Sequence, residues 1–228
     1  MDIALEDLVI AVDGTAGSGK SSTSRGVAKR LGLRYLDTGA MYRAMAWHAL
    51  EAGVDISDTD AVARHAESAV ISSGTDPERP TISLGGADVS SEIRSDEATA
   101  TVSAVSAVPR VRELLVAQQR AVIGRGGIVV EGRDIGTVVA PDAAVKVYLS
   151  ADPAARAERR SAELLSSQQR DLATVEASLR QRDAYDSGRS VAPLSTPADA
   201  VVVDTTSMTL DEVIEHVVAI TRDRVGTS

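Results

Sequence analysis

Short apolar runs alternate along the chain with longer segments in which apolar residues recur every three or four positions. Apolar runs that stop at Asp or Gly are typical of buried strands in a parallel sheet, whereas the longer spacing indicates amphipathic helices. The predicted strands are 8–12, 34–36, 128–130, 145–149 and 201–203, and the predicted helices are 20–31, 39–52, 108–123, 153–165 and 210–222. This alternation predicts a doubly wound α/β fold with five parallel strands.

Two stretches depart from the simple alternation. Residues 57–95 contain Gly74, Pro77, Pro80 and a Gly85-Gly86 pair around short β-like pieces, so we expect a small β-rich insertion there. Residues 151–189 are polar and rich in arginine, and 166–169 predict a mobile tip within them.

Composition narrows the class of protein. The chain has 228 residues, 43% of them hydrophobic, which is enough for a sizeable core and excludes general disorder. A net charge of −9 and 2% aromatic residues argue against binding to a nucleic acid polymer. The absence of cysteine excludes disulfides and thiolate catalysis. Residues 1–7 are acidic and no apolar run reaches about 18 residues, so we expect a cytoplasmic protein without a membrane span.

The strongest motif follows the first predicted strand and precedes the first predicted helix. It matches G-x-x-x-x-G-K-[ST] and consists of Gly14, Thr15, Ala16, Gly17, Ser18, Gly19, Lys20 and Ser21. Its glycines allow backbone N–H groups to surround a phosphate, and the helix N-terminus favours an anion. Lys20 is expected to reach the β- and γ-phosphates of a nucleoside triphosphate, and the Ser21 hydroxyl to bind Mg²⁺.

The rest of the chain favours a small-molecule phosphotransferase among the classes that share this loop. The N-K-x-D base reader of a guanine-nucleotide switch is absent. Strand 128–130 leads into Glu131-Gly132-Arg133-Asp134, and strand ends line the ligand crevice in a doubly wound sheet, so Arg133 is expected near Lys20. An arginine there predicts a second anionic ligand. Kinases for UMP, AMP or shikimate, and a slowly hydrolysing nucleotide switch, remain alternatives.

The acceptor is expected to be a phosphate group. A phosphate monoester is largely ionised at neutral pH and needs little general base, but it needs arginines to hold two repelling anions in line. The three histidines, His48, His65 and His216, lie in helical patterns away from the motifs.

Several segments, in the same order along the chain, resemble bacterial cytidylate kinase. The resemblance extends from residue 8 to about residue 220 and rests most specifically on 132–139, Gly-Arg-Asp-Ile-Gly-Thr-Val-Val. The segments are 14–21, 37–43, 109–112, 131–139, 182–189 and 191–194. The resemblance implies an α/β P-loop kinase that transfers the γ-phosphoryl group of ATP to CMP or dCMP with Mg²⁺. It also implies a single domain over 1–228, with a core of 1–37 and 113–228, a monophosphate-binding region of 38–112 and a mobile lid of about 151–172. We expect a monomer.

The resemblance further implies roles for individual residues. Those expected to hold the CMP phosphate are Thr38, Arg43, Arg133 and Arg189; those expected to read cytosine are Ser103, Arg112 and Asp134; those expected to hold the sugar are Arg182 and Asp186. On the ATP side, the loop residues are joined by Ser22 and by Arg160 of the lid. The expected catalytic residues are Lys20, Arg133, Arg156 and Arg159. Cytosine offers an amino donor beside two acceptors, which suits an Asp and Arg pair and disfavours uracil.

Overall fold

A five-stranded parallel sheet forms the centre of the molecule, as the sequence predicted. The computed structural model describes residues 4–163, 171–189 and 192–226. The sheet strands are β1 (Val9–Gly14), β2 (Arg34–Asp37), β6 (Ile128–Glu131), β7 (Val145–Ser150) and β8 (Val201–Asp204). Their order across the sheet is β2-β6-β1-β7-β8, and every neighbouring pair is parallel.

Helices pack on both faces of this sheet. The described helices are α1 (Lys20–Leu31), α2 (Thr38–Glu51), α3 (Thr59–Ala66), α4 (Asp96–Ala107), α5 (Pro109–Ile123), α6 (Pro153–Glu163), α7 (Leu172–Gly188) and α8 (Leu210–Val225). Helices α1 and α8 lie on one face, and α2, α4 and α5 lie on the other. The five helices predicted above are present with ends displaced by at most a few residues, but 164–165 and the tip at 166–169 lie outside the described residues. Helices α3, α4 and α7 were not predicted. In α7 only Val175 and Leu179 are buried apolar residues, so its sequence carries little apolar periodicity.

Alternate side chains of the strands supply two separate apolar cores. Along β1, Ile10 and Val12 belong to a core with α1 and α8, whereas Ala11 belongs to a core with α2, α4 and α5. A strand whose two faces are both covered reads as a continuous apolar run, which is why the sequence identified these strands.

The stretch 57–95 combines a small sheet with a helix. Strands β3 (Ile71–Ser73), β4 (Ile82–Leu84) and β5 (Ala87–Asp88) form an antiparallel three-stranded sheet. Asp58 caps α3, because its carboxylate accepts hydrogen bonds from the N–H groups of Asp60 and Ala61. The expected β strands are therefore present, and the helix is an addition to them.

The carboxyl ends of β1, β2 and β6 meet at one edge of the sheet. They carry Asp13, Asp37 and Glu131, and each leads into one of the predicted motifs. Gly14 has a φ of +150°, and a Cβ there would overlap the carbonyl oxygen of Leu149. Only glycine allows β1 to turn into the loop at this point. Within the part of the chain described, no helix is both long and apolar enough to cross a bilayer.

Candidate active site

The phosphate loop, residues 14–21, lies over the amino end of α1. Gly17 and Gly19 have φ values of +75° and +85°, and Gly19 precedes α1 without a side-chain cap, so the first N–H groups of the helix face the loop. Lys20 Nζ donates to the carbonyl oxygen of Thr15 at 2.5 Å. Burial and the positive charge of Arg133 lower the pKa of Lys20. These features make the loop a site for an anion.

A buried carboxyl, Glu131, lies beside the loop. Tyr35 donates its hydroxyl proton to Glu131 Oε1 at 2.5 Å, and Thr38 Oγ1 donates to the backbone carbonyl of Glu131 at 2.7 Å. Burial and the negative charge of Asp37 raise the pKa of Glu131, whereas Lys20 opposes that rise. The Lys20 ammonium group and the Glu131 carboxyl group therefore lie close together at the carboxyl edge of the sheet.

Arg133 connects the loop with α7. Its Nη1 donates to the carbonyl oxygen of Gly14, and its Nε lies 3.1 Å from Asp186 Oδ2. Arg133 was expected near Lys20, and its charge is close enough to lower the pKa of Lys20.

The expected base-reading pair forms a buried ion pair. Arg112 Nη2 contacts Asp134 Oδ2, and the two side chains are 4% and 5% exposed. The Arg112 guanidinium also lies 5.3 Å from the centre of the Tyr42 ring. Burial raises the pKa of Asp134 although Arg112 opposes it. Arg112 is therefore not a solvated surface charge.

Ser106 of α4 contacts both Arg112 and Arg189. Arg112 Nη1 donates to the Ser106 carbonyl at 3.2 Å, and Arg189 Nη1 donates to Ser106 Oγ at 3.4 Å. Ser103 lies one turn earlier in α4, where its carbonyl accepts the hydroxyl of Ser106. The resemblance implies Ser103 as a base reader, in a stretch that offers several other serines, and this role stays a prediction.

The other acceptor-side residues pair with carboxylates. Arg43 Nη2 lies 3.2 Å from Asp37 Oδ2, and Arg189 Nη2 lies 3.6 Å from Asp186 Oδ1. The ion pair between Asp186 and Arg189 is buried, with both side chains 5% exposed. Burial and the charge of Arg133 lower the pKa of Arg182 to about 9.

Four arginines of the site, one of them in α6, have a buried N–H group without a hydrogen-bond acceptor among the described residues. The donors are the Nε–H groups of Arg43, Arg156 and Arg182 and the Nη2 group of Arg189, whose ion-pair partner Asp186 lies beyond hydrogen-bond distance at 3.6 Å. A buried donor without an acceptor costs about 1–3 kcal/mol, and the cost is larger for a charged group. An anionic ligand would supply the missing acceptors, so this arrangement favours binding of phosphate groups.

Two arginines of α6, Arg156 and Arg159, lie close to the loop. Arg156 Nη1 donates to the carbonyl oxygen of Ala16 at 3.0 Å. Arg159 Nη1 donates to Thr205 Oγ1 at 2.9 Å and lies 4.0 Å from the position that a Cβ on Gly19 would take. Arg160 is half-buried, and its charge acts on the pKa of Arg182.

Four residues of the site carried no expected role. Asp13, at the end of β1, accepts the N–H groups of Ile135 and Gly136 at 2.8 Å each. The others are Glu131, Ser106 and Asp183, which lies within the 182–189 segment. Asp13 and Glu131 stand at the ends of predicted strands beside the motifs, and that position was a usable signal.

Comparison with known proteins identifies the family. Residues 10–223 match the family model for cytidylate kinase. A cytidylate kinase of Streptomyces griseus subsp. griseus is 53% identical over 222 residues, which cover 96% of this chain and 95% of that protein. A cytidylate kinase of Nocardia farcinica is 51% identical over 222 residues, which cover 96% of each chain. The solved structure of an uncharacterised protein from Eubacterium ventriosum is similar in fold alone, with a TM-score of 0.51, 9% identity, and coverage of 97% of this chain and 99% of that one. The resemblance noted in the sequence is thus confirmed, and the chain belongs to the cytidylate kinase family.

Proposed function

We propose that this protein transfers the γ-phosphoryl group of ATP to CMP or dCMP and releases ADP with CDP or dCDP. The observation that carries the proposal is the set of buried guanidinium donors without hydrogen-bond acceptors, of which those on Arg43, Arg182 and Arg189 belong to the expected acceptor side and that on Arg156 belongs to the side of the phosphate loop. One loop for a triphosphate and a second cluster of cations for another anion suit transfer between two nucleotides. The family membership supports the choice of CMP.

The acceptor phosphate is held, in this proposal, by Arg43, Arg133 and Arg189, with the hydroxyl of Thr38 nearby. Arg133 contacts both the loop carbonyl of Gly14 and Asp186, so it lies between the donor and acceptor sides. Its positive charge offsets the repulsion of two phosphates brought into line. The residues proposed for the sugar are Arg182 and Asp186.

Cytosine is recognised, in this proposal, by the Arg112 and Asp134 pair, with Ser103 or Ser106 beside it. Asp134 accepts from the cytosine amino group, whereas Arg112 donates to N3 or O2. Because the pair is buried, a uracil would leave one of its groups without a partner, which costs more than the same mismatch in water.

On the donor side, N–H groups of residues 14 to 22 other than Ala16, whose N–H donates to Asp183, surround the phosphates in this proposal, and Lys20 neutralises the β- and γ-phosphates. From α6, Arg156 contacts the loop at the Ala16 carbonyl and Arg159 lies near Gly19, and Arg160 is proposed to join them on ATP. Positive charge that is fixed in place before the reaction stabilises the transferring phosphoryl group without reorganisation.

The residues present fit Mg²⁺. Ser21 stands at the start of α1 and its hydroxyl contacts the buried carboxyl of Glu131, so two hard oxygen groups lie together beside the loop. Mg²⁺ prefers such oxygens, keeps several waters and commonly uses one or two side chains besides the phosphates. When bound, it neutralises developing charge on the phosphates. We propose that Ser21 binds the ion directly.

An acceptor screen tests the function. The purified protein is incubated with ATP and Mg²⁺ and with CMP, dCMP, UMP, AMP or shikimate, and the phosphorylated product is identified by mass spectrometry. We expect CDP and dCDP. ATP hydrolysis that is independent of every acceptor would instead indicate a switch, and a preference for another acceptor would refute the assignment to CMP.

The remaining expectations concern the state of the enzyme. We expect a cytoplasmic monomer that acts on small nucleotides and not on nucleic acid polymers, which the net charge of −9 supports. Light scattering during gel filtration and a binding assay with single-stranded RNA and DNA test the two parts separately.

A further inference from the structure

One carboxylate joins three separate elements beside the phosphate loop. Asp183 of α7 accepts the backbone N–H of Ala16 at 3.0 Å through Oδ1. Its Oδ2 accepts from Nη1 of Arg156 in α6, and the same Nη1 donates to the Ala16 carbonyl at 3.0 Å. The loop, α6 and α7 are therefore linked by a closed ring of hydrogen bonds around one acidic side chain.

Apolar side chains and the backbone of α6 pack against this ring and leave it largely buried. Ala16, Ala157, Val175 and Leu179 form a small buried apolar cluster next to it. A Cβ on Gly17 would lie 3.1 Å from the Arg156 carbonyl oxygen, so the backbone of α6 lies directly against the loop. Asp183 is 16% exposed and Arg156 is 7% exposed, and charged hydrogen bonds are stronger in such an environment.

The ring also determines which edge of the Arg156 guanidinium is available. Asp183 and Ala16 occupy Nη1, whereas the Nε–H lies on the opposite edge together with Nη2. The Nε atom is buried without an acceptor among the residues described. The edge formed by Nε and Nη2 is the fork that binds a phosphate with two parallel hydrogen bonds.

We propose that Asp183 is a positioning residue that holds Arg156 and the Ala16 end of the loop so that the free edge of Arg156 meets the transferring phosphate. Asp183 itself touches no substrate in this arrangement. The kinetic part of the proposal rests on the proposed function, whereas the contact with Ala16 does not.

The hydrogen bond between Asp183 and the Ala16 amide is tested by a measurement that does not depend on enzyme activity. Hydrogen exchange at the Ala16 amide is measured by NMR in the nucleotide-free wild type and in Asp183→Ala. Loss of a hydrogen bond to a charged group is expected to raise the exchange rate at Ala16 about tenfold or more. Asp171→Asn, which changes an exposed acid at the start of the same helix to another good capping residue, is the matched control and leaves that rate unchanged. An unchanged rate in Asp183→Ala overturns the proposal.

The positioning role is tested by a double-mutant cycle on CMP phosphorylation. Asp183→Asn, which keeps the size of the side chain, is expected to lower kcat about tenfold while the KM for CMP changes by less than about twofold. In an Arg156→Met background the same substitution is expected to change kcat by less than about twofold, because its effect passes through Arg156. Asp183→Glu retains the charge but displaces the carboxylate, and it also lowers kcat.

The outcomes distinguish a failure of the positioning role of Asp183 from a failure of the proposed CMP kinase activity. If Asp183→Asn leaves kcat unchanged, or lowers it equally with and without Arg156, Asp183 does not position that arginine. If the wild type does not phosphorylate CMP, the proposed function fails, while exchange at Ala16 still decides whether Asp183 holds the loop. The midpoint of thermal unfolding, measured for every variant, shows whether a loss of kcat accompanies a loss of folded protein.

Discussion

Asp134→Asn is the substitution that most directly tests base recognition. It keeps the shape of the side chain but removes the charge that pairs with Arg112 in a site where both groups are almost fully buried. A hydrogen bond to a charged group contributes about 1.5–3 kcal/mol, which corresponds to about 10–150-fold in kcat/KM. We expect kcat/KM for CMP to fall by this factor.

The preference for CMP over UMP is expected to narrow in the same variant. An amide can present either its oxygen or its NH₂ group to the base, so Asn accepts uracil more readily than a carboxylate does. The activity with UMP therefore falls less than the activity with CMP, or rises.

The assay is steady-state ADP release with each acceptor on the same enzyme sample. The ratio of the two kcat/KM values is independent of the fraction of active protein, so a loss of stability in the variant does not affect it. Asp142→Asn, an exposed site in the chain segment that follows, is the control and leaves the ratio unchanged. A ratio in Asp134→Asn equal to that of the wild type would refute Asp134 as a base reader.

Three further predictions concern the loop, α6 and the buried acid of β1. Gly14→Ala is expected to lower the midpoint of thermal unfolding and abolish activity, because its Cβ would meet the Leu149 carbonyl oxygen. Gly188→Ala is the control, since a Cβ there meets nothing within 4 Å, and it is expected to change neither property. Equal stability of the two variants would contradict this prediction. Arg159→Ala is expected to reduce kcat by about tenfold or more with little change in CMP affinity, and equal kcat in variant and wild type would remove it from transition-state stabilisation. Burial raises the pKa of Asp13 from 3.8 to about 6. Between these two pH values the folded protein keeps a proton on Asp13, whereas the unfolded chain has released it. The stability of the wild type relative to Asp13→Asn is therefore expected to fall by up to about 3 kcal/mol as pH rises through this interval, and parallel urea-unfolding profiles for the two proteins would show the prediction to be wrong.

The elements that the sequence predicted well are those whose signal is local. Helix α1 begins and ends at the predicted residues because Gly19 and Gly32, both left-handed, bound it. The predicted helix 210–222 is present as α8, and Thr209 and Glu212 form a capping box at its start. The helix α7 was not predicted, because most of its residues are polar and its place depends on packing against α6 rather than on its own apolar stripe.

In the candidate site, too, the sequence predicted the residues of contiguous motifs but not the contacts between distant segments. The loop, Arg133 and Asp134 are identified by a contiguous motif, and the family resemblance that rests on those motifs is confirmed. The individual roles stay predictions, and the structure adds neighbours that no motif names. Ser106 meets Arg189 from 83 positions away, and Asp183 meets Ala16 from 167 positions away.

The sequence by itself determined the parallel sheet, the anion-binding loop and the family, because each depends on residues that are neighbours along the chain. Only the tertiary structure decided that Asp183, Arg156 and Ala16 share one hydrogen-bonded ring and that Arg112 and Asp134 pair out of contact with water. Such pairings depend on how α4, α5, α6 and α7 pack around the sheet edge. This packing is determined by the apolar cores as a whole, so it cannot be predicted from the spacing of residues within a single segment.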